Sequence, residues 1–263
     1  MLLLLLGCAM NLAQMRSARV LEGGEVQLSE VNSVVVPSAA VVQSIDPARE
    51  LLQQRNEDEP LDAEEREIVL GGLTAVALSS PGFGSYLDGA VGLGRGFDLS
   101  ARVGNGSYSA ELRRALLPYH QHPWHLSAGV RAGYSSGGAW LGVLDLANTA
   151  LRVSTLRRLD LTGHVAAGRE FGEWGKLWWG PKVQISPYRM QLDGSRIGLD
   201  PVETSGTLGW AGGFVGGAIG WRWVHFCGEL TVLGAWGRTQ AYGSEYEVSG
   251  VVVAPHWGVQ VTL

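Results

Sequence analysis

Lysine is almost missing from this chain: Lys176 and Lys182 are the two lysines among 20 basic residues, so arginine carries nearly all the positive charge. Cysteine is equally scarce. Cys8 and Cys227 allow at most one disulfide. No apolar run reaches the roughly 18 residues of a bilayer-spanning helix, which excludes a helical membrane protein. A net charge of -5 leaves no basic footprint for nucleic acid. What is abundant is glycine, 38 of 263 residues, and tryptophan, 10. That glycine content is about twice average usage. Gly and Trp enrichment without long apolar runs fits a membrane β-barrel, whose signal per segment is weak.

The periodicity agrees. In "VVVAPHWGVQVTL" the odd positions Val251, Val253, Pro255, Trp257, Val259, Val261 and Leu263 are apolar, while Ala254, His256, Gly258, Gln260 and Thr262 fall between them. In "WHLSAGVRAGYS" Trp124, Leu126, Ala128, Val130, Ala132 and Tyr134 alternate with His125, Ser127, Gly129, Arg131, Gly133 and Ser135. This period of two marks strands with unlike faces. Eleven segments qualify: 25–36, 85–94, 97–104, 107–117, 124–135, 146–157, 159–170, 177–190, 208–221, 224–237 and 250–263. A single-chain bacterial barrel needs an even number. Residues 67–80 supply the twelfth; ten is the alternative if candidates merge or drop out. "RGFDLS" (95–100), "RRLDLT" (157–162) and "RWVHFC" (222–227) look like three copies of one hairpin corner. After the first strand, Asp46 as N-cap and Pro47 at the first helical position predict a short helix within an insertion over 37–67. The expectation is all-β: one antiparallel up-and-down transmembrane barrel of 12 strands with that helical insertion.

Alternation alone does not say which face meets water. A soluble sandwich buries its apolar face; a membrane barrel turns it to lipid. Three features favour the barrel. The polar face combines both charge signs with small residues, as in a packed lumen of ion pairs; its charged members are Glu25, Asp98, Arg102, Glu111, Arg113, Arg131, Arg152, Asp160, His164, Lys182 and Glu229. Aromatics such as Tyr108, Trp124, Tyr134, Trp179 and Trp236 fall near strand ends, as in interfacial girdles. The strands also exceed the usual mode of about 5–6 residues.

The last strand, ending at Leu263, resembles the closing strand of bacterial outer-membrane barrels. Near the other end, Leu5-Leu6-Gly7-Cys8 resembles the lipobox of bacterial lipoproteins. Together these resemblances imply an outer-membrane barrel lipoprotein. Residues 1–7 are then a signal-peptide remnant, 8–24 a tether lipid-anchored at Cys8, and 25–263 the barrel. The partners implied are the lipid bilayer and the barrel-assembly machinery.

Chemistry is sparse. His120, His122 and His125 cluster at a strand start, but no local cysteine or carboxylate completes a metal set. Ser154, Asp160 and His164 have the residue types of a hydrolytic triad. Asp160 and His164, however, lie four residues apart on one strand face, roughly 13 Å, too far to bond. No cofactor or metal is expected. The reading is a non-enzymatic barrel with a structural, adhesive or narrow-pore role. The alternatives are a secreted soluble β-barrel with a small apolar ligand and an outer-membrane hydrolase or acyltransferase.

If Cys8 carries lipid, Cys8→Ser should abolish fatty-acid labelling of the protein. Labelling that survives the substitution would place the modification elsewhere.

Overall fold

In the computed structural model, ten strands close into one antiparallel barrel. The residues described are 12–37, 50–51, 62, 64–65, 68, 82–104, 106–117, 123–137, 152–193, 201–241 and 244–263. The strands are β1 (Val26–Pro37), β2 (Gly82–Gly94), β3 (Phe97–Gly104), β4 (Ser107–Ala115), β5 (Trp124–Gly137), β6 (Arg152–Phe171), β7 (Gly175–Asp193), β8 (Val202–Trp221), β9 (Val224–Ala241) and β10 (Ser244–Thr262). Each pairs with its neighbour in sequence, and β1 pairs with β10 to close the ring. The chain ends clasp there: Val26 N–H donates to Leu263 O at 3.0 Å, and Leu263 N–H to Val26 O at 2.8 Å.

One expectation is corrected. The count is ten strands, not 12. The described part of 146–157, from residue 152, and 159–170 are one strand, β6, because Arg157-Arg158 continues the alternation instead of turning the chain. Arg157 is exposed on the outside and Arg158 is buried inside. Residues 67–80 lie outside the described residues except at 68, and β1 pairs directly with β2, leaving no place between them. No helix is among the described elements, although the described residues Glu50, Leu51, Glu64 and Glu65 have helical conformation. Most of 37–67, including Asp46 and Pro47, lies outside the described residues. A reciprocal pair of bonds between Asp62 and Glu65, at 3.0 and 2.9 Å, has the form of a capping box. Of the three look-alike corners, 95–100 and 222–227 do turn. Arg95 and Gly96 both take positive φ, as a type I′ hairpin requires, and Arg222 does so at the second corner.

The barrel has a short-turn end and a loop end. The start of β1, Leu263 and the turns at 95–96, 172–174 and 222–223 share the first. Strands β3 and β4 have 8 and 9 residues, whereas β6 to β10 have 18 to 20, so the wall is much taller on one side.

The outer face is apolar. Val130, Val183, Ile185, Val215, Ile219, Phe226 and Val259 are all exposed there, as is Trp257, while His256 and Gln260 are buried inside. Trp124, Trp174, Trp221 and Trp223 ring the short-turn end; Tyr108, Tyr134 and Trp236 stand higher. Beyond them the outward residues become charged: Arg157, Arg189 and Arg238. On β6 the outward face is apolar or small between Arg169 and Arg157. Twelve residues at about 3.3 Å each, tilted about 40°, cover roughly 30 Å, near the 25 Å apolar band of a membrane barrel.

Val183 lies midway along that band, exposed; its neighbour Gln184 is buried beside the Asp160 carboxylate, 3.2 Å away. Val183→Arg should therefore lower folding stability in lipid by about 2–4 kcal/mol. Gln184→Arg gains an ion pair and should cost far less. Heat-modifiable migration and urea titration in vesicles measure both; equal losses would contradict the inside–outside assignment.

Candidate functional site

Inside the barrel lies the described part of the segment read as a tether, from Leu12 onward. Leu12, Ala13, Gln14, Met15, Arg16, Ala18, Val20 and Leu21 are all buried. The segment runs from the short-turn end, where Gly24 N–H donates to Gly92 O at 3.0 Å, up to Leu12 near mid-height. An eight-stranded barrel is just filled by its own side chains. Two further strands make room for one extended chain.

That chain has no strand to pair with, so the wall must satisfy its backbone. It does so with charges. Glu229 receives Gln14 N–H and Met15 N–H on its two oxygens, each at 2.7 Å. The Trp178 indole and the Thr231 hydroxyl also donate to it, at 3.0 and 3.2 Å. Arg102 and Arg131 converge on Ala13 O at 2.8 and 2.9 Å, and Lys182 donates to Leu12 O at 2.6 Å. Arg113 donates to Ser17 O and Arg19 O at 2.7 and 3.2 Å, and Leu21 N–H donates to Asp98 at 3.0 Å. Bonds to a charged partner contribute about 1.5–3 kcal/mol each, roughly twice a neutral one.

The same charges pair with each other. Arg102 binds Asp88 at 2.9 Å, Arg113 binds Asp98 at 2.7 Å, and Arg131 binds Glu111 at 2.7 Å. Arg16 comes from the segment itself and meets Asp98 at 3.1 Å and Glu111 at 3.7 Å. Gln14 Nε2 lies 3.1 Å from both Glu111 and His164. Glycine permits part of this: a Cβ on Gly216 would stand 2.5 Å from the Trp178 ring that bonds Glu229.

Of the eleven charges read from the sequence, Asp98, Arg102, Glu111, Arg113, Arg131, His164, Lys182 and Glu229 meet around the segment. Glu25 stands at the mouth, bonded to Arg19 by two contacts of 3.0 Å. Asp160 belongs to a separate group with Arg158 and Ser186, at 2.9 and 2.7 Å. Arg152 opens β6, and its side chain, like Cys8, His120 and His122, lies outside the described residues. Ser154's side chain is also outside them, and Asp160 and His164 keep different partners, so the triad types do not assemble among the described residues. The sequence reading missed Gln14, Arg16 and Ser17. Arg16 and Arg19 in a stretch without strand period were the available signal.

No protein-family model matches the chain, and no curated protein matches it in sequence. Solved structures do. The outer membrane protease OmpT of Escherichia coli matches at 6% identity and TM-score 0.39, over 94% of this chain and 100% of its own. The attachment invasion locus protein Ail of Yersinia pestis matches at 8% and 0.31, over 92% and 100%. The toluene transporter TbuX of Ralstonia pickettii matches at 9% and 0.34, over 94% and 89%. The barrel assignment for this chain stands on its own strand pairing.

Arg131→Leu would leave Glu111 buried beside a missing partner and remove one donor from Ala13 O. Losing one member of a buried pair costs about 3–5 kcal/mol. The unfolding midpoint in detergent should fall accordingly; an unchanged midpoint would show that Arg131 holds neither group.

Proposed function

We propose that the chain is a non-enzymatic outer-membrane β-barrel with a narrow lumen that its own residues 12–24 close, so that passage requires the segment to move. The supporting observation is the set of wall charges bonded to the segment's backbone between Leu12 and Leu21. The apolar outer band and its aromatic rims support placement in a bilayer. The short turns, the start of β1 and Leu263 then face the periplasm, and the opposite end faces outward. A soluble barrel with an apolar ligand would need the opposite sidedness. The hydrolase read from Ser154, Asp160 and His164 would need Asp160 and His164 in one constellation, and they keep different partners.

The seated segment also bears on the lipid anchor. Leu5-Leu6-Gly7-Cys8 suggests an anchor at Cys8, four residues before Leu12, whose carbonyl Lys182 holds.

Reconstituted into planar bilayers, the intact protein should be closed. A variant lacking residues 12–21 should conduct, and Glu229→Gln, which leaves one oxygen for two backbone N–H groups, should flicker open. A truncated variant that keeps heat-modifiable migration yet stays silent would overturn the gating role.

A further inference from the structure

The outward face of β1 breaks the rule of the other strands. Val26, Leu28, Val34 and Val36 are apolar, but Glu30 and Asn32 stand between them. Glu30 is exposed, and its register partners are Val259 on β10 and Leu87 on β2, both exposed apolar residues. Asn32 lies opposite Trp257 and Ser85. Glu30 is four residues from Val26 and six from Val36, about 10 and 15 Å along the membrane normal. It therefore sits at mid-depth, too deep to reach water at either rim. Its outward neighbours Leu28, Leu87 and Val259 offer no cation and no donor, and no hydrogen bond joins it to Asn32, the remaining neighbour on its strand, among the described residues. Polar groups facing lipid at this depth are costly and rare, and those that persist have a partner.

The partner must supply a hydrogen-bond donor to Glu30 and an acceptor to Asn32. The patch itself carries both. A carboxyl group and a carboxamide two residues apart on one strand are self-complementary about a two-fold axis, where residue i meets j and j meets i. Ser85, beside Asn32, is small and allows close approach.

We infer that the outer face of β1 is the interface between two copies of this barrel within the membrane, Glu30 of each bonded to Asn32 of the other. Leu28, Leu87 and Trp257 pack around the two exchanged contacts. The interface rests on the membrane reading above but is independent of the lumen segment.

Fluorescence energy transfer between labelled barrels, diluted with lipid in vesicles, measures the association. The intact protein should dimerise, and Glu30→Leu or Asn32→Leu should weaken dimerisation about tenfold through loss of both exchanged contacts. Glu30→Asn alone and Asn32→Glu alone should weaken it too. The double exchange Glu30→Asn with Asn32→Glu should restore it, because the pair is again self-complementary. Heat-modifiable migration confirms that each variant is folded. A wild type that stays monomeric at every dilution would overturn the interface, as would a dimer indifferent to Glu30→Leu, or one the double exchange fails to restore. Failure of the protein to enter vesicles would instead strike the membrane reading itself.

Discussion

A length of extended backbone inside a closed barrel has no ladder to join, and every N–H and C=O on it needs a partner. This constraint accounts for the rest of the lumen. Glu229 bridges two consecutive N–H groups of the segment, and the arginines and Lys182 take its carbonyls. Once these charges are in the wall, they need counter-charges, and Asp88, Asp98 and Glu111 provide them. The preference for arginine has the same origin. Its fork of donors binds a carboxylate and a carbonyl at once, as Arg102, Arg113 and Arg131 each do, where lysine's compact ammonium lacks that fixed fork.

The polar interior is stable only because the barrel wall separates it from an apolar exterior. Its two faces belong to different solvents, and β6 shows the division residue by residue: Leu159, Leu161 and Val165 outward, Arg158, Thr162 and His164 inward. The lumen also holds an apolar cluster. Trp178 and Phe214 pack with Ala13, Met15 and Ala18 of the segment, joining its apolar positions to the wall between the charged contacts.

Much of this was legible in the alternation. The two faces of the C-terminal strand were separated by the alternation of Val259 and Gln260, and charges such as Arg131 and Glu229 were placed on one face by parity, while the choice of which face turns outward needed the charges, aromatics and strand lengths as well. Strand number was harder. Arg157-Arg158 looks like a corner because both residues are polar, yet one faces external water above the membrane and the other faces the lumen. A pattern of two cannot distinguish a turn from a strand that has left the bilayer. The lumen segment left only the signal of Arg16 and Arg19 in a stretch without strand period. Its structure comes from contacts with β2 to β9, more than 200 residues away in places, so "NLAQMRSARV" shows no local period. Glu30 was visible as a charge but not as an anomaly, since its facing lipid depends on the register of β1 with β10.

The clasp between Val26 and Leu263 joins the first residues of the barrel to the last. Such a contact forms at the largest loop-closure cost the chain offers, and topologies dominated by distant pairings fold slowly. Until that seam forms, β1 and β10 present unpaired edges, each a template for pairing with another chain. Residues 12–24 are covalently continuous with β1, so they arrive at the lumen with the strand that completes the wall. Closing the seam thus brings the start of the stopper to the mouth of the lumen it fills, where Gly24 N–H donates to Gly92 O.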